Sequence, residues 1–206
     1  MTICLSDAGK RFNRDWIFRH FTYNFDYGQS YAITGPNGSG KSTLLQVLSS
    51  SLAVSEGQIQ FKSASQTTIS EEKAFKQVSL AAPYLEVIEE MSFKEFMQFH
   101  IAFKPLLPGV TITEIAEIVG LQKAVDKQIR YYSSGMKQRV KLAQCIFSDT
   151  STVLLDEPCT NLDTDGIQLY RNLIQTYCAN RLVIVSSNDK VEYDFCQNMV
   201  SILDYK

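Results

Sequence analysis

The sequence is short of nearly everything that marks a metalloprotein, a secreted scaffold or a membrane span. Histidine occurs twice, at His20 and His100, too few for a histidine-built metal centre. Five cysteines (Cys4, Cys145, Cys159, Cys178, Cys196) are odd in number and scattered, with no C-x-x-C pair; this argues against a disulfide framework and predicts reduced, mostly buried thiols. A formal net charge of -2 gives no overall basic surface, so no nucleic-acid partner is expected. A basic leader followed by an apolar core is missing, as is any apolar run of membrane-spanning length, which predicts a cytoplasmic chain. Internal repeats and Gly/Ser linkers are missing too.

What is present suits one domain over residues 1–206, long enough to bury its own core. Short strands are expected at Ile3–Leu5, Trp16–Phe18, Phe21–Phe25 and Ser30–Thr34, then a helix from Lys41 through Leu48, then strands at Gly57–Phe61 and Val78–Ala81. Between Ser92 and about Tyr131 the apolar residues Phe93, Phe96, Met97, Ile112, Ile115, Ile118 and Val119 recur at helical spacing, broken by Pro105, Pro108 and Gly109. This predicts a helical subdomain over about 84–134, inserted in the core. Strands return at Thr152–Leu155, Leu182–Ser186 and Val200–Leu203, with a helix over Asp165–Cys178. The alternation implies an α/β fold with a mainly parallel sheet and an N-terminal antiparallel β annex.

Gly35-Pro36-Asn37-Gly38-Ser39-Gly40-Lys41-Ser42 fits G-x-x-x-x-G-K-[ST], the Walker A pattern. Glycines let successive backbone N–H groups turn inward into a nest for phosphate oxygens. Lys41 adds a positive charge for the β and γ phosphates, the helix start through Thr43 adds its dipole, and the Ser42 hydroxyl is a ligand for Mg²⁺. A chain of this length matches the pattern by chance about once in a hundred at average residue frequencies. The apolar run Tyr31–Ile33 before the loop and the helix formers after it supply the strand–loop–helix setting that the chemistry requires.

Thr152-Val153-Leu154-Leu155-Asp156-Glu157 is an apolar strand ending in two carboxylates. In a parallel sheet those carboxylates reach the same edge as the phosphate loop. Asp156 is then placed to hold Mg²⁺ through water, and Glu157 to polarise the water attacking the γ phosphate.

Tyr132-Ser133-Ser134-Gly135-Met136-Lys137-Gln138-Arg139 resembles the signature segment of ABC ATPases, usually LSGGQ-x-x-R, agreeing at Ser133, Gly135 and Arg139 and departing at Tyr132, Ser134 and Met136. By itself S-x-G before a basic helix is more often a helix cap; here it precedes the Asp156 strand, in the family's order. Asn161-Leu162-Asp163 resembles the D-loop, and Gly57-Gln58-Ile59 the strand turn after the first helix. Phe12 stands where the family places an adenine-stacking aromatic, with Trp16 a second candidate and core packing an equal reading for Phe12.

The resemblance implies a P-loop NTPase of ABC ATPase fold that binds ATP and Mg²⁺ as a head-to-tail dimer, expected to be a homodimer. Ser133 and Gly135 of one subunit would then meet the γ phosphate held by the other. It also implies an integral membrane transporter subunit as partner, docked around Tyr84–Met91 and the helical insertion, and a peripheral place on the inner face of the cell membrane. The short chain is similar to small exporter ATPases, including the haem-exporter type.

Two departures bear on turnover. Where the family carries a metal-sensing glutamine, this chain has Pro83 or Ala82, neither able to ligate through its side chain. Where the family carries a switch histidine, it has Asn188, which donates a hydrogen bond but does not titrate. Hydrolysis through Glu157 is expected to be slow. The competing readings are a soluble ABC ATPase of cluster assembly, translation or DNA-associated work, and a nucleotide-binding regulator impaired in hydrolysis; retention of Glu157 argues against the last.

Overall fold

A computed structural model describes all of residues 1–206. The chain opens with two long antiparallel strands, β1 (Thr2–Phe12) and β2 (Asp15–Phe25), followed by β3 (Ser30–Thr34) and helix α1 (Lys41–Leu48). Then come β4 (Glu56–Lys62), β5 (Thr68–Ile69), the single turn α2 (Glu71–Ala74) and β6 (Val78–Ala81). Helices α3 (Phe93–Ile101), α4 (Ile112–Ile118) and α5 (Ser134–Ile146) lead to β7 (Thr152–Asp156), α6 (Thr164–Tyr177), β8 (Leu182–Ser186), α7 (Lys190–Tyr193) and β9 (Asn198–Ser201).

The strands form two sheets. One is antiparallel, in the order β2-β1-β4-β5; the other runs β6-β7-β8-β3-β9 with every pairing parallel. Parallel strands need crossovers and so are covered on both faces. The central strands show this residue by residue: in β7 and β8, Val153, Leu155, Val183 and Val185 join one core, while Leu154, Leu182 and Ile184 join the other. The first core takes in α5, α6 and the residues Phe93, Phe96, Met97, Ile115, Ile129 and Tyr132. The second packs α1 and the inner face of the antiparallel sheet, including Phe18, Phe21, Phe25 and Phe61. The helical stretch thus has no core of its own and is continuous with one face of the parallel sheet.

The expected N-terminal fragments are two eleven-residue strands of one hairpin. Their polar middles hid this continuity: the left-handed Asp7 and His20 (φ 48 and 53) sit where the register shifts, and the irregularity turns charged side chains outward. Capping boxes at Ser92/Glu95 and Thr111/Glu114 set the starts of α3 and α4. The expected strand to Leu203 stops at Ser201, and Ile202–Tyr205 form a 3-10 turn.

Candidate functional site

Because the five strands are parallel, the carboxyl ends of β3, β7 and β8 meet at one edge. Backbone bonds tie those ends together: the Glu157 N–H donates to Ser186 O at 2.9 Å, and the Ser187 N–H to Ile33 O at 3.2 Å. The loop after β3, the pair Asp156–Glu157 and Ser187–Asn188 therefore form one rim.

In the loop Gly35–Ser42, Gly38 and Gly40 hold φ of 77 and 96, which glycine adopts without strain. A Cβ on Gly40 would stand 2.3 Å from Ile17 Cγ2, so β2 packs directly on the loop. Ser39 N–H donates to Pro36 O, whereas the N–H groups of Gly38, Gly40, Lys41 and Ser42 find no acceptor in the chain. Together with the α1 dipole they make a concentrated field for an anion. Lys41 is buried at 5% exposure and its Nζ turns back onto the loop, donating to Gly35 O at 2.8 Å and Pro36 O at 3.3 Å. The buried Ser39 hydroxyl has no partner.

A cavity of about 330 Å³ lies at the start of α5, and another of about 250 Å³ lies over the loop. The second is lined by Ile17, Asn37, Gly38, Gly40, Lys41, Ser42, Thr43 and Glu157. Glu157 is half-buried and left-handed (φ 44), a costly conformation for a non-glycine residue. Asp156 is 2% exposed, and no protein hydrogen bond reaches its carboxylate. No cluster of three or more His, Cys, Asp or Glu side chains is suited to a metal ion. The oxygen donors of Ser42 and Asp156 are of the kind that could hold a Mg²⁺ ion together with phosphate and water.

Asn188 stands on the same rim, exposed, and its Nδ2 donates to Asn37 Oδ1 at 2.7 Å. Strand alternation separates the two aromatic candidates. Trp16 lies on the face opposite Ile17, against Gly9, with the Arg19 and Arg11 guanidiniums 4.5 and 5.5 Å from its ring centre. Phe12 is 47% exposed beside Lys10, whose Nζ is 5.2 Å from its ring centre. The structure thus brings Asn37–Thr43, Glu157 and Asn188 together and turns Trp16 away from the Ile17 face.

The segment around Ser133 is a separate surface. Ser133 is the N-cap of α5, its Oγ accepting the Met136 N–H at 3.2 Å. The 330 Å³ cavity there is lined by Ser133, Ser134, Gly135, Met136, Arg139, Asn161, Leu162 and Asp163. None of these residues lines the cavity over the phosphate loop. A Cβ on Gly135 would meet Asn161 O at 3.0 Å, and Gln138, buried, donates to Pro158 O at 2.7 Å, so α5 packs against the chain just after Glu157.

Glu192 was not singled out from the sequence. It is 5% exposed and its Oε1 accepts the Cys159 N–H at 2.7 Å, fastening α7 to the turn after Glu157. Burial pushes its carboxyl above the usual range, with the charges of Asp189 and Glu157 adding to the shift and bonds from Ser187 and Cys159 opposing it.

Comparison with known proteins agrees with this geometry. Residues 18–160 match the family model described as ABC transporter. The uncharacterized ABC transporter ATP-binding protein YhcH of Bacillus subtilis is 30% identical over 97% of this chain, which covers 66% of that protein's length. The cytochrome c biogenesis ATP-binding export protein CcmA of Xanthomonas axonopodis pv. citri is 34% identical over 80% of this chain and 76% of its own. Among solved structures, an ABC transporter ATP-binding protein of Pyrococcus furiosus superposes with a TM-score of 0.82 over the whole of both chains at 20% identity, a likeness of fold. No helix of the chain is long and apolar enough to cross a membrane.

Proposed function

The chain belongs to the ABC transporter family of ATP-binding proteins, and from that premise we propose that it hydrolyses MgATP as one half of a head-to-tail dimer that powers a separate membrane subunit. One observation carries the dimer: the Ser133–Gly135 surface and the phosphate-loop cavity share no residue. A single chain offers two half-sites lined by different residues, and an exposed N-terminal surface at Ser133–Gly135 with a basic helix behind it suits a second phosphate contact.

In this reading the unpaired N–H groups of the loop and Lys41 hold the β and γ phosphates, with Lys41 exchanging its carbonyl bonds for phosphate oxygens. Ser42 and Asp156 would hold a Mg²⁺ ion, which would supply charge neutralisation. Glu157 orients the water that displaces ADP from the γ phosphorus, and Phe12 flanks the base. Ser133 and Gly135 of the partner chain complete the γ-phosphate contacts.

Turnover is slow. Asn188 keeps a hydrogen-bond donor on the rim yet carries no charge to the transition state, and Pro83 offers no side-chain ligand. The chain sits on the inner face of the membrane, and its integral membrane partner docks around the segment Tyr84–Met91 and the helical insertion. Similarity to the CcmA proteins, whose name describes export, favours export.

The test is ATP-dependent dimerisation of the Glu157→Gln chain, followed by light scattering. Dimer formation with ATP and its loss with Lys41→Ala are the expected results; a chain that stays monomeric at saturating ATP would refute the shared site.

A further inference from the structure

One peptide bond, that between Pro158 and Cys159, is gripped at both of its polar ends. Its carbonyl accepts from Gln138 Nε2 at 2.7 Å, and its N–H donates to Glu192 Oε1 at 2.7 Å. The peptide is trans, so its C=O and N–H point in opposite directions and the two grips come from opposite sides. Gln138 stands on α5 and Glu192 on α7. Both are buried, at 4% and 5% exposure, where losing either partner leaves a polar group unpaired at a cost. The Glu192 grip is anchored in turn. Its own carbonyl accepts the buried Tyr170 hydroxyl at 2.8 Å, and its N–H donates to Asp189 O at 3.0 Å.

The residue that this clamp steadies is the one before it. Glu157 has φ 44, a conformation that non-glycine residues rarely take. A following proline also pushes its neighbour towards extended backbone, so Glu157 is disfavoured twice. Backbone of this kind persists only where its surroundings over-determine it. On one side the Glu157 N–H is tied to Ser186 O at 2.9 Å, and its carbonyl accepts the Thr160 N–H at 3.2 Å. On the other, the Pro158 ring fixes its own φ, and the next peptide is the clamped one.

We propose that Glu192 and Gln138 are positioning residues for hydrolysis: by fixing the Pro158–Cys159 peptide they hold Glu157 in its left-handed conformation and so set the direction of its carboxylate. Neither side chain lines the cavity over the phosphate loop, so each acts on turnover through Glu157 and not through the nucleotide. The inference rests on the reading of Glu157 as the residue that orients the attacking water.

The experiment measures kcat, KM and the binding of a fluorescent ATP analogue on the full chain. Glu192→Leu removes the acceptor, whereas Glu192→Gln keeps an acceptor oxygen on a side chain of the same length. For Glu192→Leu, kcat falls about 10-fold or more, within the range for a displaced reacting group, while KM and analogue affinity stay within about 2-fold. Glu192→Gln recovers most of that loss. Gln138→Met, which releases the other end of the peptide, lowers kcat by a similar factor. In the Glu157→Gln chain, adding Glu192→Leu lowers the residual single-turnover rate by less than about 2-fold, because the group it positions is already disabled. Undiminished kcat in both Glu192→Leu and Gln138→Met overturns the proposal. So does an equal fold loss from Glu192→Leu with and without Glu157→Gln, or a fall in analogue affinity that matches the fall in kcat. A Glu157→Gln chain that turns over at its parent's rate refutes the assignment of Glu157 instead, and this proposal with it.

Discussion

At the phosphate loop the chain closes its chemistry on itself: Lys41 is buried, its ammonium sits on Gly35 and Pro36 carbonyls, and Gly40 is packed on Ile17. At Ser133–Gly135 the same chain presents an open concavity whose serine does no more within the subunit than cap α5. On the shared-site proposal, one half-site is complete as a binding element in a single chain, and the other acquires a use only against a second chain. The contrast explains why damage at the two places should register in different measurements.

The largest effect is expected at the junction between them. Glu157→Gln should lower kcat by roughly 10²–10⁴-fold, the range for loss of a positioned general base, with ATP binding retained; phosphate release against analogue binding separates the two. Lys41→Ala should then weaken ATP binding about 100-fold, since charge-assisted hydrogen bonds contribute ~1.5–3 kcal/mol each, read by equilibrium titration.

A pair of glycine substitutions sharpens the comparison further. Gly40→Ala puts a Cβ 2.3 Å from Ile17 Cγ2 at a left-handed φ of 96, so about 2–3 kcal/mol of stability should be lost in urea unfolding. Gly135→Ala meets only Asn161 O at 3.0 Å, so stability should change by less than about 1 kcal/mol while steady-state ATPase falls about 10-fold. Equal stability losses at both positions would break the distinction.

The smallest effect lies away from both half-sites. His100 is buried, its Nδ1 accepting from Gln144 and its Nε2 bonded to Ser148 Oγ at 2.7 Å, and burial together with Lys104 lowers its pKa to about 4. The neutral ring is favoured by folding, so its contribution is intact above the unfolded value near 6.5 and is lost as pH falls towards about 4. His100→Gln should flatten that slope in urea titrations between these pH values and leave ATP affinity at neutral pH unchanged.

Much of the fold was legible because its signals are local. The apolar runs of β7 and β8, and the strand–glycine loop–helix order around Lys41, each carry their own physics within ten residues. The hairpin β1–β2 was read in fragments because its bulges interrupt the alternation at Asp7 and His20. At the candidate site the residues with intrinsic chemistry stood out: Lys41, Asp156 and Glu157. Glu192, Gln138 and Lys141 did not, since each acts on a backbone group far away in sequence, on Cys159, Pro158 and Pro83 respectively. A side chain's target carbonyl or N–H leaves no trace in composition or spacing. Phe12 and Trp16 were indistinguishable by type and separated only once the strand faces were known.

The contrast between a closed half-site and an open one is tested most directly by mixing two defective chains. Lys41→Ala spoils only the phosphate loop and Gly135→Asp only the surface at α5, so a mixed dimer contains one intact composite site. If sites act independently, an equimolar mixture should regain up to about half of the wild-type ATPase rate, because the Lys41→Ala chain dimerises with ATP only against the other variant and each mixed dimer has one of two sites intact. A mixture no more active than either variant alone would mean that each chain completes its own site, and would contradict the account.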